Sequence, residues 1–223
     1  MKTDSLATLM QTRFSCRAYK PDPVPDNVIH NIIDLARRAA SWSNIQPWDN
    51  MIITRPETTK RLSVALLAAE AQNPAGCSDI PYPESYPEEH MARRREVGFG
   101  LYKALGIARE DRKARHEHHL RNFKFFDAPH IALLSVPKAL GVYGVLDVGA
   151  FVSSFLLAAH SLGVASVAQA ALALQSPAIH AFFDLPAELM FVCGISFGYA
   201  DPENPANKFR SSRISPDQIF TFR

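Results

Sequence analysis

Short apolar runs with strand character are scattered along this chain between longer stretches with helical spacing. Strands are predicted at Asn50–Thr54, His130–Val136 and Leu189–Gly198, and Ile214–Phe222 is a candidate terminal strand. Helices are predicted at about residues 5–12, 26–40, 57–72, 88–105, 108–123, 147–162 and 176–184. This distribution indicates an α+β sandwich, in which helices cover a central sheet. No internal repeat or linker is visible, so residues 1–223 are predicted to form a single domain.

Local signals mark several helix ends. Asp4 or Ser5 can cap the first helix, Asp26 can cap the second, and Gly163 is expected just past the end of the sixth. The apolar stretch from Ala150 to Leu174 is interrupted by polar side chains, whereas a membrane span needs about 20 mainly apolar residues. It therefore predicts a buried helix followed by a loop.

The segment from Arg13 to Tyr19 alternates in character with a period of two. If it is extended, one face carries Arg13, Ser15, Arg17 and Tyr19, and the other carries Phe14, Cys16 and Ala18. Two guanidinium groups with a hydroxyl between them suit a dianionic phosphate, because arginine offers fixed bidentate donors. A solvated basic strand or turn is the alternative interpretation.

The charge balance argues against one large class of partner. With 24 basic and 22 acidic residues, the chain lacks the basic excess typical of nucleic-acid-binding proteins. Its three cysteines show no metal-ligand spacing, and its first residues lack the apolar stretch of a signal peptide. His116 and His119 share a predicted helix face but have no ligand partner at a recognised spacing, so no metal is expected. We therefore expect a cytoplasmic protein that binds neither nucleic acid nor membrane.

Residues 73–87 form the least regular stretch, with four prolines and one glycine. This favours a lid over a pocket, with a plain surface loop as the alternative, and residues 73–125 together are expected to cover the active site. Nearby aromatic side chains are candidates to stack on an aromatic substrate, although simple packing would also explain them. These candidates are Trp42, Tyr82, Tyr86 and Phe123, whereas Trp48 is expected in the core.

Several motifs follow one another along nearly the whole chain. They are Arg13-Phe14-Ser15-Cys16-Arg17, Ser41-x-Ser43-Asn44-x-Gln46-Pro47-Trp48, Phe126-Asp127-Ala128-Pro129, the stretch from Leu162 to Ala171, and the basic run Lys208-Phe209-Arg210-Ser211-Ser212-Arg213. In type and order they resemble the flavin-dependent nitroreductase family. The stretch from Leu101 to Ile107, with Asp111-Arg112 and Arg121-Asn122-Phe123, is similar to a branch that contains nitrobenzoate reductases.

The resemblance implies a nitroreductase-like fold with a mixed central sheet, in an intertwined homodimer that binds one FMN per subunit at the interface. It implies an NAD(P)H oxidoreductase in which hydride transfer through flavin N5 reduces a nitroaromatic, nitrobenzoate-like acceptor by ping-pong kinetics. Because the flavin carries the hydride, no catalytic side chain is expected. The alternatives are a related flavoenzyme that reduces quinones, enones or halogenated aromatics, and a non-catalytic flavin-binding module.

Residue by residue, the resemblance assigns the cofactor phosphate to both ends of the chain. Arg13, Ser15 and Arg17 match positions that hold the phosphate and ribityl chain, and Phe14 stands where many relatives have a polar residue. Arg213 matches an arginine that returns to the phosphate, and Arg210 is a second donor. Arg17 is also the candidate cation beside flavin N1 and C2=O.

Two internal segments are assigned to the flavin ring. Ser41, Ser43 and Asn44, with Gln46 in the same motif, match a loop that reaches the flavin of the partner subunit. Ala168, Gln169, Ala170 and Ala171 match a turn whose backbone N–H groups face N5 and O4. The predicted helix at 147–162 and the C-terminal Ile219, Phe220 and Phe222 are expected at the dimer interface.

Overall fold

Four strands form the sheet that organises the fold. In the computed structural model, which describes residues 5–223, they are β1 (Ile52–Ile53), β2 (His130–Pro137), β3 (Ala165–Gln169) and β4 (Leu189–Gly198). The α-helices in this part of the chain are α1 (Leu6–Thr12), α2 (Asp26–Ala36), α3 (Pro56–Gln72), α4 (Glu88–Ala104), α5 (Arg112–Leu120), α6 (Gly141–Ser161) and α7 (Ser176–Phe183). The predicted α+β class is confirmed.

The strands follow the order β1-β2-β4-β3, and every neighbouring pair is antiparallel. The register aligns Ile53 with Ala132, Ala132 with Ile195, and Ile195 with Ala168. The expected mixed sheet is therefore corrected. Parallel pairing within residues 5–223 is limited to isolated bridges, one of which joins Ser15 to Ser166. That bridge brings the N-terminal segment to the edge strand β3.

Both faces of the sheet are buried, because β2 sends alternate apolar side chains to opposite sides. Ala132 and Leu134 pack with Phe151 and Phe155 of α6 on one face. On the other face, Ile131 and Leu133 join a second core with the side chains Leu62, Leu66, Phe123, Phe125, Phe126, Leu172 and Ile179. Trp48 stacks on Phe151 with 5.1 Å between ring centres, so its predicted core position is confirmed.

The long helix α6 begins at Gly141, six residues before the predicted start at Asp147. Its predicted end is confirmed, since Gly163 follows it with a φ of +75°, a conformation that glycine adopts without strain. Lys138–Ser161 is the one segment of residues 5–223 long and apolar enough to cross a bilayer. Phe151 and Phe155 of this segment are nonetheless fully buried against the sheet.

Some predicted element ends differ from the structure. Ser5 caps α1 by accepting from the Thr8 N–H at 3.3 Å, whereas Asp4 lies outside the described residues. Asp26 lies inside α2 and pairs with Arg55 at 2.8 Å instead of capping the helix.

Two predicted elements in the second half of the chain also differ from the structure. Strand β3 lies where a loop was expected, because pairing with β4 organises these small residues. The candidate strand Ile214–Phe222 does not form, and no strand of residues 5–223 pairs with this segment. Residues 215–223 are exposed and contain a single short turn, Pro216–Gln218.

His130 at the start of β2 is buried between two backbone partners. Its Nδ1 bonds the Thr54 carbonyl at 2.9 Å and its Nε2 accepts from the Val24 N–H at 3.0 Å, so the neutral ring satisfies both partners. Burial is the main reason that its pKa is lowered. The unfolded chain therefore binds this proton more tightly than the folded chain does.

We expect the free energy of unfolding to fall as pH drops below about 6.5, until the lowered pKa of His130 is passed. Urea unfolding at pH 7.5 and 5.5 measures this loss. His116→Gln, at an exposed position, should keep the full pH dependence, while His130→Gln should reduce it. An unchanged slope in His130→Gln would contradict the assignment.

Candidate functional site

The segment Arg13–Tyr19 runs along the edge of the sheet. The Cys16 N–H donates to the Ser166 carbonyl at 3.1 Å, and the Tyr19 hydroxyl donates to the Ser196 carbonyl at 3.1 Å. The predicted alternation holds from Ser15 to Ala18, since Cys16 and Ala18 are buried while Ser15 and Arg17 are half-buried, but burial does not separate Phe14 from Arg13. It is wrong at Tyr19, which is buried beneath the sheet edge and only 8% exposed.

Asn207 fastens the C-terminal segment to this N-terminal one. Its Oδ1 accepts from the Arg17 N–H at 2.8 Å, and its Nδ2 donates to the carbonyls of Ala18 and Asp201, both at 2.8 Å. The side chain is 5% exposed, so these bonds form away from water. Sequence reasoning missed Asn207, and the only signal was its position just before the basic run at Lys208.

The two chain ends enclose a cavity of about 510 Å³. It is lined by Met10, Gln11, Arg13, Phe14, Ser15, Arg17, Val97, Phe209, Arg210, Ser211 and Arg213. The five residues that the sequence assigned to a phosphate, Arg13, Ser15, Arg17, Arg210 and Arg213, therefore lie around one space together with Phe14. Their contact with a cofactor stays a prediction.

The charges around this cavity are uncompensated. Burial lowers the pKa of Arg13, and the positive charge of Arg213 lowers it further. Burial also lowers the pKa of Arg17. Among residues 5–223, neither these arginines nor Arg210 forms an ion pair with a carboxylate. Crowded arginines without a carboxylate partner suit a bound anion.

An exposed main-chain segment lies beside this cluster. Ala168 and Ala170 are exposed at the end of β3, next to the Ser15–Ser166 bridge. Because that bridge is parallel, Arg17 lies toward Ala168 and Arg13 lies the opposite way. At the rise of a strand, Ala168 is about 7 Å beyond Ser166. An elongated ligand with an anionic end at the arginines would thus reach residues 168–171.

The Gln169 side chain faces away from such a ligand. It is 3% exposed, accepts from the Ser196 hydroxyl, and donates through Nε2 to the Asn122 carbonyl at 3.0 Å. These contacts tie the end of β3 to the loop after α5. A role for Gln169 in cofactor binding is therefore left to its backbone, as for Ala168, Ala170 and Ala171.

His118 on α5 is a second neighbour of Arg17 that sequence reasoning did not assign. Its pKa is lowered to about 4, chiefly by burial and then by the charges of Arg121 and Arg17. The ring lies edge-on to Tyr102 with 5.9 Å between centres. The charge of Arg17 therefore reaches this ring, and His118 is neutral at pH 7.

In the loop from Ser41 to Gln46, Ser43, Asn44 and Gln46 are exposed and Ser41 is half-buried. Ser43, Asn44 and Gln46 have φ values of 45°, 58° and 48°. Left-handed non-glycine residues cost on the order of 1–3 kcal/mol each and cluster at functional sites. The buried Asp147 carboxylate anchors the loop by accepting from the Trp42 N–H at 3.0 Å. The arginine cavity does not include this loop, so its cofactor role stays a prediction.

The irregular residues 73–87 are fixed at their base and contact residues 168–171 at their tip. The Cys77 N–H donates to the Leu174 carbonyl at 2.7 Å. Asp79 accepts from the Phe191 N–H at 2.7 Å and from His180 Nε2 at 2.8 Å. The Tyr82 hydroxyl then donates to the Ala170 carbonyl. This contact places residues 73–87 over residues 168–171 and favours the interpretation of the loop as a lid.

The four aromatic substrate candidates separate into two groups. Trp42, Tyr82 and Tyr86 are 60%, 41% and 37% exposed and are available to a ligand. Phe123 is fully buried in the second core, so its predicted role in substrate stacking is wrong. Phe123 follows a polar helix, and nothing in its neighbouring sequence distinguishes a buried core residue from an exposed residue that could stack on a substrate.

A sheet edge that gathers arginines from both chain ends, next to an exposed main-chain segment, forms a cavity with the charge and length to suit an elongated anion. The chain belongs to the nitroreductase family, whose model matches residues 10–199.

Similar proteins cover nearly the full chain. A 4-nitrobenzoate reductase from Nocardioides sp. is 30% identical over 98% of this chain and 90% of its own length. A 4-nitrobenzoate reductase from Pseudomonas putida is 32% identical over 95% and 92%, respectively. The crystal structure of the FMN-dependent nitroreductase NfnB from Mycobacterium smegmatis in complex with NADPH has a TM-score of 0.92, 31% identity and 97% coverage of both chains. The predicted family is confirmed.

Proposed function

We propose that this chain is an FMN-dependent oxidoreductase that uses NAD(P)H to reduce nitroaromatic compounds, with nitrobenzoate-like acids among them. The observation that carries the proposal is the convergence of Arg13, Arg17 and Arg213 on one cavity beside residues 168–171. The names of the relatives support the reaction and the cofactors. The single domain of residues 1–223 and a cytoplasmic location remain part of the proposal, and free cysteines in the described chain support the location.

The residues around the cavity fit the phosphate of FMN. Arg13, Arg213 and Arg210 offer cations, Ser15 offers a hydroxyl, and the described residues that line the space include no carboxylate. A phosphate carries nearly two negative charges, and each hydrogen bond to a charged group contributes about 1.5–3 kcal/mol. Several such bonds would hold FMN tightly without a covalent link.

When bound, FMN supplies the ring that accepts and donates a hydride. The protein would then bind and orient the two substrates and exclude water from the site. Arg17, on the side of Ala168, would face the pyrimidine edge of the ring, where a cation favours the reduced form. The backbone N–H groups of residues 168–171 would orient the ring, and Tyr82 and Tyr86 would cover the bound substrate.

A homodimer accounts for the apolar surface of α6. Val142, Tyr143 and Leu146 are 83%, 56% and 64% exposed, and the small residues Gly149 and Ala150 continue the same face. Such a contiguous apolar patch marks an interface. The tail adds three more exposed apolar side chains, Ile219, Phe220 and Phe222. In the dimer, the loop at Ser41–Gln46 would reach the FMN of the partner subunit.

Leu146→Lys should convert the dimer to monomer and release FMN, because it places a charge in the centre of the proposed interface. Sedimentation and the flavin-to-protein absorbance ratio measure both effects. The matched control is Val64→Lys on α3, where the native valine is 69% exposed. A flavin-loaded Leu146→Lys dimer would refute this interface.

The function is tested by the visible spectrum of the purified protein. Anaerobic NADPH or NADH should bleach the flavin absorbance, and 4-nitrobenzoate should restore it. Initial rates measured against NAD(P)H concentration at several fixed acceptor concentrations should give parallel double-reciprocal lines. A protein that binds FMN but is not bleached would be a non-catalytic module. Bleaching that is restored by quinones, enones or halogenated aromatics alone would instead identify the alternative acceptors.

A further inference from the structure

The Arg210 side chain rests on the ring of Phe14. Its guanidinium carbon lies 4.1 Å from the ring centre, which is cation–π geometry. Its Nη1 also donates to the carbonyls of Asn207 and Phe209, at 2.6 and 2.9 Å. Arg210 and Phe14 both line the arginine cavity. The ring therefore ties a C-terminal cation to the segment that carries Arg13 and Arg17.

A ring differs from a carboxylate as a partner for this cation. A carboxylate would neutralise the guanidinium and compete with an incoming phosphate for its N–H groups. The face of an aromatic ring attracts the cation through its quadrupole and takes up none of its N–H groups, so those not bonded to the carbonyls of Asn207 and Phe209 remain available. An exposed arginine also loses rotamer freedom when it binds a ligand, and prior ordering against the ring reduces that loss.

We infer that Phe14 is a positioning residue that holds Arg210 in place as a phosphate-binding cation. The inference rests on the proposed FMN function. This role explains why the apolar Phe14 lies in a cavity lined by arginines. A polar residue at this position would contact the phosphate directly, whereas Phe14 acts on it through Arg210. Phe14 thereby favours flavins that carry a phosphate over those that lack one.

Simple packing is the competing explanation, because Phe14 is also a partly buried neighbour of the second core. Leucine at this position keeps an apolar side chain but removes the ring quadrupole, whereas tyrosine keeps the ring. Riboflavin lacks the phosphate of FMN and so reports any general damage to the flavin site. These comparisons separate positioning of Arg210 from packing.

The experiment measures dissociation constants for FMN and riboflavin by fluorescence titration of the full-length protein stripped of flavin. Phe14→Leu should weaken FMN binding about 3- to 10-fold and leave riboflavin binding unchanged. Phe14→Tyr should retain wild-type affinity for FMN. In an Arg210→Gln background, Phe14→Leu should cause no further loss, because the two residues act as a pair. Phe14→Met provides the same comparison if the leucine variant does not fold.

Equal weakening of FMN and riboflavin, or equal weakening with and without Arg210, would overturn the inference and assign Phe14 to packing. Unchanged FMN affinity in Phe14→Leu would also overturn it. A wild-type protein that binds no FMN would instead refute the proposed function, so the two failures are distinct.

Discussion

Replacing Arg13 and Arg213 together by glutamine should abolish FMN retention while leaving the fold intact. Each bond to a charged phosphate contributes about 1.5–3 kcal/mol, so losing both arginines should weaken binding at least 100-fold. The two cations lie close enough that Arg213 lowers the pKa of Arg13. Removing them also relieves this repulsion, so the flavin-free protein should be as stable as the wild type or slightly more so.

Fluorescence titration with FMN and thermal unfolding of the flavin-free protein measure the two effects. Arg38→Gln, at an exposed position on the surface, is the matched control and should bind FMN like the wild type. The salt dependence of FMN affinity should become shallower in the double variant, because fewer charges contact the phosphate. A double variant that purifies yellow, with FMN bound in full, would show that the phosphate lies elsewhere.

Asn207→Ala should destabilise the protein and weaken FMN binding at the same time. The change leaves the Arg17 N–H and the carbonyls of Ala18 and Asp201 buried without their partner. Each unsatisfied group costs about 1–3 kcal/mol, so we expect the free energy of unfolding to drop by about 3–5 kcal/mol. FMN binding suffers because the same side chain holds the two arginine-bearing segments together.

Asn204→Ala is the matched control for this variant. The Asn204 side chain accepts from the Ala206 N–H at 3.1 Å and caps the same short turn, without contact to the N-terminal segment. Its loss should cost about 1 kcal/mol and leave FMN affinity unchanged. Urea unfolding and FMN titration compare the two variants. Equal losses of unfolding free energy and of FMN affinity in the two variants would mean that Asn207 acts only within the short turn and does not hold the two segments together.

Strong local patterns predicted much of the fold. The continuous apolar runs of β2 and β4 and the glycine after α6 identified their elements, since burial on both sheet faces demands uninterrupted apolar residues. The alternation of Arg13, Ser15 and Arg17 likewise predicted that these side chains lie together, and all three line the arginine cavity. In each case the signal lies within a few consecutive residues.

Features set by distant partners were not predictable in the same way. Apart from Val167, the residues of strand β3 have little strand preference, and the strand forms because Ala165 and Gln169 pair with Gly198 and Gly194 of β4. Phe123 is buried because the second core surrounds it, which no neighbour in sequence reveals. Asn207 gains its importance from contacts with a segment 190 residues earlier.

That long separation has a consequence for how the protein matures. A ribosome adds the anion site's last arginines only after almost all of the sheet and helices have been synthesised. The N-terminal arginines therefore lack their C-terminal neighbours until the rest of the polypeptide has been synthesised. Contacts between residues this distant in sequence also form slowly. Binding of the proposed FMN would consequently be a late event, which follows the meeting of the N-terminal and C-terminal arginines.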